Sequence, residues 1–159
     1  MLPISPVRTS KVYALSGARV AYLCAGPHQL EALRAITPPW VVGLPAQVAA
    51  VRALQDPGYY AARYRETHEL RAGLAAGLRV LGWDVLPGTA NFLLCHLPPT
   101  GADAAAIVTR CEAQGLFLRD AARMGARLGP RAIRLAVKEA ATNARIITVL
   151  RKICAGPTA

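Results

Sequence analysis

The side chains able to do covalent or ionic chemistry in this chain are few and unevenly placed. Lysine occurs only as Lys11, Lys138 and Lys152, so Lys11 is the sole primary amine side chain before residue 138. Thr9 and Ser10 precede it, and Tyr13, Leu15, Gly17, Arg19 and Tyr22 follow it. A Ser-Lys dipeptide recurs by chance, but the ordered spacing of Ser-Lys, Tyr, Leu, Gly, Arg and Tyr is far more restrictive. The remaining cations are arginines, spaced singly from Arg8 to Arg151 and densest at Arg119, Arg123, Arg127, Arg131 and Arg134. With 19 Lys+Arg against 9 Asp+Glu, the formal charge is +10. Such a field attracts anions, whether nucleic acid, acidic lipid or phosphorylated small molecules. The arginine cluster contains no aromatic residue for stacking on bases and no continuous basic tract, so a nucleic-acid surface ranks last among these. Cys24, Cys95, Cys111 and Cys154 show no short pairing, and His28, His68 and His96 are isolated, so neither set forms a metal or redox motif. Each cysteine lies in an apolar run, which predicts buried structural thiols and a reducing, cytoplasmic compartment.

The elements that must position these residues can be read from periodicity. Ala18–Cys24 is β-like and bounded by glycines. His28–Ile36 predicts a short helix closed by Pro38 and Pro39, and Leu44–Leu54 an alanine-rich helix punctuated by Asp56-Pro57. The longest helical pattern runs from Gly58 to Leu81, with Leu70, Leu74, Leu78 and Leu81 on one stripe and Gly82 as its C-cap. Trp83–Leu86 and Asn91–Leu97 read as strands around a Pro-Gly turn. Thr100 or Asp103 is placed to cap a helix carrying Ile107, Val108 and Cys111, which ends at Gly115. Leu116–Arg119 and Ala132–Lys138 read as two further strands, and Thr142 as the cap of a last helix with Ile146, Ile147, Leu150 and Ile153 on one face. After Gly82 the order is strand, strand, helix, strand, strand, helix, an α/β arrangement of helices against a small sheet. The segment before Gly58 carries one strand and two helices, too few strands to close a sheet by itself.

The chain has 159 residues, 53% hydrophobic and 18% charged, which excludes a disordered or low-complexity protein and fits one ordinary domain. The longest uncharged stretches, residues 35–51 and 85–102, each contain three prolines and do not read as membrane spans. The opening Met-Leu-Pro-Ile-Ser-Pro is short and broken by proline, which predicts no signal peptide.

The stretch from Ser10 to Tyr22 resembles the active-site lysine motif of class I/II aminotransferases, pyridoxal-phosphate enzymes of fold type I, and is most similar to the histidinol-phosphate aminotransferase and threonine-phosphate decarboxylase branch. The resemblance continues in order through Pro39-Trp40, Gly43-Leu44-Pro45-Ala46-Gln47, Arg71 with Leu74, Leu78 and Gly82, Ala90-Asn91-Phe92, Leu118-Arg119-Asp120, Ile133-Arg134-Leu135 and Asn143. It implies the C-terminal portion of that α/β fold: residues 1–57 as a remnant of the large domain, and residues 58–159 as the interdomain helix and small domain. The cofactor implied is pyridoxal 5'-phosphate, with Lys11 as the catalytic residue that forms the internal aldimine and later moves a proton. Arg19 matches the arginine that clamps the cofactor phosphate, with Ser10 and Thr9 adding hydroxyl donors. Arg134 matches the arginine that holds the substrate α-carboxylate, and Arg119 is the candidate for a second anionic group such as a substrate phosphate. The partners implied are a small-molecule amino acid or phosphorylated amine and a 2-oxo acid, in a homodimer, with no metal, nucleic acid or membrane.

Two departures stand out. Arg8 occupies the position three before the lysine, where the family often has Ser or Thr. The aspartate that pairs with the pyridine nitrogen and the aromatic that stacks on the ring lie upstream of the lysine in the family, and only ten residues precede Lys11 here. Asp56, Asp84, Asp103 and Asp120 fall in the wrong parts of the pattern to replace that aspartate. The expectation is therefore an N-terminally shortened chain with little or no turnover alone. The competing expectations are a decarboxylase of the same fold and a non-catalytic interaction module built from the small domain.

Overall fold

A computed structural model describes the backbone of residues 5–8 together with residues 13–125 and 127–155. The chain divides into two compact units, Met1–Ala62 and Arg63–Ala159.

In the first unit, strand β1 (Ser5–Arg8) pairs antiparallel with β2 (Ala21–Cys24), with Ser5 opposite Cys24 and Arg8 opposite Ala21. Sequence reading anticipated one strand over 18–24; residues 16–19 instead form a turn, and β1 is an additional strand. Helix α1 (Pro27–Ile36) starts with proline in its first turn, where the missing N–H costs nothing. The Gln29 side chain accepts a bond from the Gly26 N–H at 3.0 Å. Helix α2 (Leu44–Gln55) begins the same way at Gly43 and Pro45. Asp56 ends it and opens helix α3 (Pro57–Val80), since its carboxylate accepts from the Tyr59 N–H at 3.1 Å.

The second unit holds the core. The C-terminal part of α3 ends at Gly82, whose φ of +79° only glycine adopts cheaply, and the Trp83 N–H bonds back to the Leu78 carbonyl at 3.1 Å. A four-stranded antiparallel sheet follows in the order β3-β4-β6-β5: β3 (Asp84–Val85), β4 (Phe92–His96), β6 (Ala132–Ala136) and β5 (Arg119–Asp120). Helix α4 (Ala104–Glu112) joins β4 to β5, and α5 (Ala140–Cys154) closes the chain. Alternation along β4 and β6 sends Leu93, Cys95, Ile133 and Leu135 into a core with Leu78, Ile107 and Leu150. The opposite sheet face carries Phe92, Leu94 and Arg134.

Several boundaries and caps differ from the sequence reading. Asp103, not Thr100, caps α4, accepting from the Ala106 N–H at 2.9 Å. Thr142 does not cap α5; Glu139 occupies the cap position and its carboxylate accepts the Thr142 hydroxyl. That bond is the first cause of a Glu139 carboxyl held below its ordinary value. Residues 116–118 are not strand, because Leu116 bonds back to the Cys111 carbonyl through the Gly115 turn. Cys95 and Cys111 are buried as expected, but Cys24 and Cys154 are exposed. Cys24 lies in a two-stranded ribbon that buries none of its β2 residues, and Cys154 is the last residue of its helix, beyond the core.

Candidate active site

Two cross-strand arginines form the most defined candidate group. Arg119 on β5 is directly opposite Arg134 on β6, so both side chains leave the same sheet face. Like charges in that position repel, and among the described residues no ion pair joins either arginine to a carboxylate. The Arg134 guanidinium carbon sits 4.0 Å from the Phe92 ring centroid, a cation–π contact across to β4. Its Nε is buried with no hydrogen-bond partner. A buried, unpartnered guanidinium N–H is costly unless an anion completes it. Sequence reading singled out Asn91-Phe92 as a motif but missed the stacking role of Phe92; the signal available was its two-residue offset from Leu94, Arg134's neighbour across the β4–β6 pair.

Arg131 does a different job. Its guanidinium reaches the carbonyls of Pro98 at 2.6 Å, Gly101 at 2.9 Å and Ala102 at 3.2 Å, closing the β4–α4 loop onto the start of β6. His96 likewise contacts the Leu128 carbonyl at 3.1 Å through Nε2, which gives the ring a partner at the end of β4. Asn143 clamps the exit of β6, accepting from the Lys138 N–H at 3.0 Å and donating to the Lys138 carbonyl at 2.7 Å. These three contacts fix both ends of the strand that carries Arg134.

In the first unit, Arg19 ends the 16–19 turn with φ of +51°, a left-handed conformation costly for a residue with a Cβ. Its side chain is exposed, and among the described residues it has no carboxylate partner. Tyr13, two residues beyond Lys11, packs edge-on against Tyr60 with centroids 4.7 Å apart. Lys11, Ser10 and Thr9 lie outside the described residues. The structure thus brings Arg119 and Arg134 together within the second unit and holds Arg19 in the first. A free guanidinium on a strained turn suits a phosphate, and an orphaned, stacked guanidinium suits a carboxylate, so the residues present fit a phosphorylated cofactor and an acidic substrate.

An antiparallel sheet backed by helices carries Arg119 and Arg134 on its open face, and a turn through Gly17 carries Arg19 in the other unit. The profile of the family described as aminotransferase class I and II matches residues 8–153, and the chain belongs to that family. The family is pyridoxal-phosphate-dependent. The chain is 33% identical over 152 residues to the histidinol-phosphate aminotransferase of Rhodopseudomonas palustris strain TIE-1, covering 93% of this chain and 40% of that relative's length. The histidinol-phosphate aminotransferase of Clostridium acetobutylicum has the same fold with a TM-score of 0.87 at 20% identity, over 96% of this chain and 46% of the other. That of Sinorhizobium meliloti, solved in complex with pyridoxal-5'-phosphate, gives a TM-score of 0.79 at 26% identity, over 94% and 41%. The chain therefore spans less than half the length of the proteins it matches. No helix among the described residues is long and apolar enough to cross a membrane.

Proposed function

We infer that this chain carries the lysine and the anion-binding arginines of a pyridoxal-phosphate-dependent aminotransferase acting on a phosphorylated amino compound and a 2-oxo acid. The observation that carries the reading is the Arg119–Arg134 pair: two arginines opposite one another across β5 and β6 on one sheet face, with the buried Arg134 Nε left without a partner. When bound, the cofactor supplies an aldehyde for covalent capture of the amine and a ring that delocalises charge from the substrate α-carbon. Lys11 would hold it covalently through its amine, and that amine, once released, would take the proton from the substrate α-carbon. Arg19, with Ser10 and Thr9, binds the cofactor phosphate. Arg134 binds the substrate α-carboxylate and fixes which face of the molecule is presented. Arg119 takes the substrate's second anionic group. The working form is a homodimer, with residues 1–57 belonging to the large domain and residues 58–159 to the interdomain helix and small domain. A reducing, cytoplasmic setting belongs to the same reading, since all four cysteines are free thiols.

These 159 residues include no counterpart of the family's ring-nitrogen aspartate, so turnover by them alone is expected to be low. The test is chemical capture. Pyridoxal phosphate is added to the purified chain, borohydride reduces the adduct, and peptide mass spectrometry locates it. The expected result is a single pyridoxyl group on Lys11, absent in Lys11→Ala and weakened in Arg19→Ala. Labelling spread over Lys138 and Lys152, or unaffected by Arg19→Ala, defeats the assignment.

A further inference from the structure

Arg71 occupies a core-stripe position of its helix. Leu74, Ala75 and Leu78 form the buried stripe of α3, and one turn earlier the same stripe reaches Arg71. Its side chain is half-buried, its Nε is buried with no hydrogen-bond partner, and among the described residues no ion pair joins it to a carboxylate. An arginine placed there without an acid is costly, so packing alone does not account for it.

The guanidinium lies against the bend between β3 and β4. A Cβ on Gly88 would stand 3.2 Å from the Arg71 Nη2, closer than ordinary van der Waals contact. Gly88 is not among the glycines with positive φ, so its backbone conformation does not demand glycine; the arginine beside it does. Among the described residues, backbone bonds tie this bend at its two ends. The Leu86 N–H donates to the Leu94 carbonyl and the Val137 N–H to the Asn91 carbonyl, each at 3.0 Å. Phe92 follows at once, and its ring centroid lies 4.0 Å from the Arg134 guanidinium carbon.

We propose that Arg71 is a positioning residue: it braces the Pro87–Asn91 bend through the space left at Gly88, and so sets the Phe92 ring on which Arg134 stacks. The inference rests on the reading of Arg134 as an anion-binding residue and names what aims it. The α3 stripe packs with Leu93 and Cys95, whereas Phe92 and Arg134 leave the opposite sheet face, so Arg71 acts through the chain between the faces and not on the anion. The bracing matters because Arg119, directly opposite, repels Arg134, and the Phe92 face is the attraction that offsets it. A binding guanidinium has to be held to within about 0.5 Å of its working position.

The experiment uses the 159-residue chain without cofactor. NMR reads two quantities: the Arg134 Nε–H resonance, which the Phe92 ring current moves upfield, and the affinity for inorganic phosphate. Phe92→Leu marks the unstacked resonance. Gly88→Ala crowds the guanidinium, and Arg71→Met keeps an unbranched chain without the charge. Each should carry the resonance more than halfway to that mark and weaken phosphate binding about 3–10-fold, with unchanged circular dichroism. Once Arg71 is alanine, the Gly88 methyl has room, so Gly88→Ala should cost nothing further in the double variant. A loss of stability in urea with the resonance and the phosphate affinity unmoved makes Arg71 structural only and overturns the proposal. An equal effect of Gly88→Ala with and without Arg71 overturns it too, since the two then do not touch. Arg134→Ala separates the two claims. Phosphate binding unchanged in that variant defeats the anion-binding reading, while the resonance in Gly88→Ala still upholds or overturns the role of Arg71.

Discussion

Arg134 stands in a strand whose neighbours on either side are fully buried, yet its own Nε has no partner. Two forces hold it in that position: the face of Phe92 at 4.0 Å and the antiparallel pairing that sets it across from Arg119. Neither force neutralises its charge. The pair is therefore a poor arrangement for stability and a good one for binding an anion. Arg119→Glu separates the two roles. An opposite charge directly across an antiparallel pair stabilises by about 0.2–1 kcal/mol, so the variant should denature at higher urea concentration than the parent. The same change should weaken binding of inorganic phosphate at least tenfold, since a charge-assisted bond is worth about 1.5–3 kcal/mol. Phosphate titration followed by NMR reads the second effect. A variant that is less stable and binds phosphate as before would show that Arg119 is structural.

At the scale of elements, strand β6 depends on what grips its ends. Arg131 draws carbonyls of residues 98–102 onto the strand's start, and the Asn143 amide closes its exit. A guanidinium does this well because its planar fork donates in several directions at once, whereas an ammonium is a single point. Arg131→Ala should cost about 1–3 kcal/mol, because the freed carbonyls rehydrate only in part. Arg131→Lys should recover less than half of that loss. Limited proteolysis is the second readout, with cleavage appearing between residues 98 and 104 before any elsewhere. If the segment stays as resistant as in the parent, Arg131 is a surface cation and not the clasp of the loop.

At the scale of the molecule, stability rests on the second unit, because the buried cluster runs from Leu74 to Leu150. Two thiols in that cluster are silent reporters of its integrity. Burial pushes the Cys95 thiol from 9.0 up to about 12 and the Cys111 thiol to about 11. In the unfolded chain both ionise near 9.0, while the folded chain keeps their protons. Below pH 9 they do not affect stability. Above it the unfolded state releases protons that the folded state retains, so stability falls, by up to about 1.4 kcal/mol per pH unit for each thiol. Urea denaturation at pH 8, 9 and 10 should show this decline, and Cys95→Ala should make it shallower. A slope unchanged by that substitution would mean the thiol ionises as readily in the fold as in water.

The helices from α1 to α5 were legible in the chain itself, because periodicity, proline and glycine act locally; Asp56-Pro57 and Gly82 punctuate the structure where they punctuate the sequence. The resemblance carried by the lysine motif was equally legible, since ordered spacing survives without coordinates. Contacts between distant residues were not. Nothing local in Leu116–Arg119 distinguishes a strand from a turn; the back-bond to Cys111 decides it. Nor does an alanine-rich helix declare which of its faces is inward, and only packing shows that α2 turns its alanines in and its valines out. The sequence alone determined which residues are able to bind and react, as those are properties of side chains and short spacings. Tertiary structure alone decided that Arg119 and Arg134, 15 positions apart, face each other over one sheet, because strand register is set by long-range hydrogen bonds that no local pattern encodes.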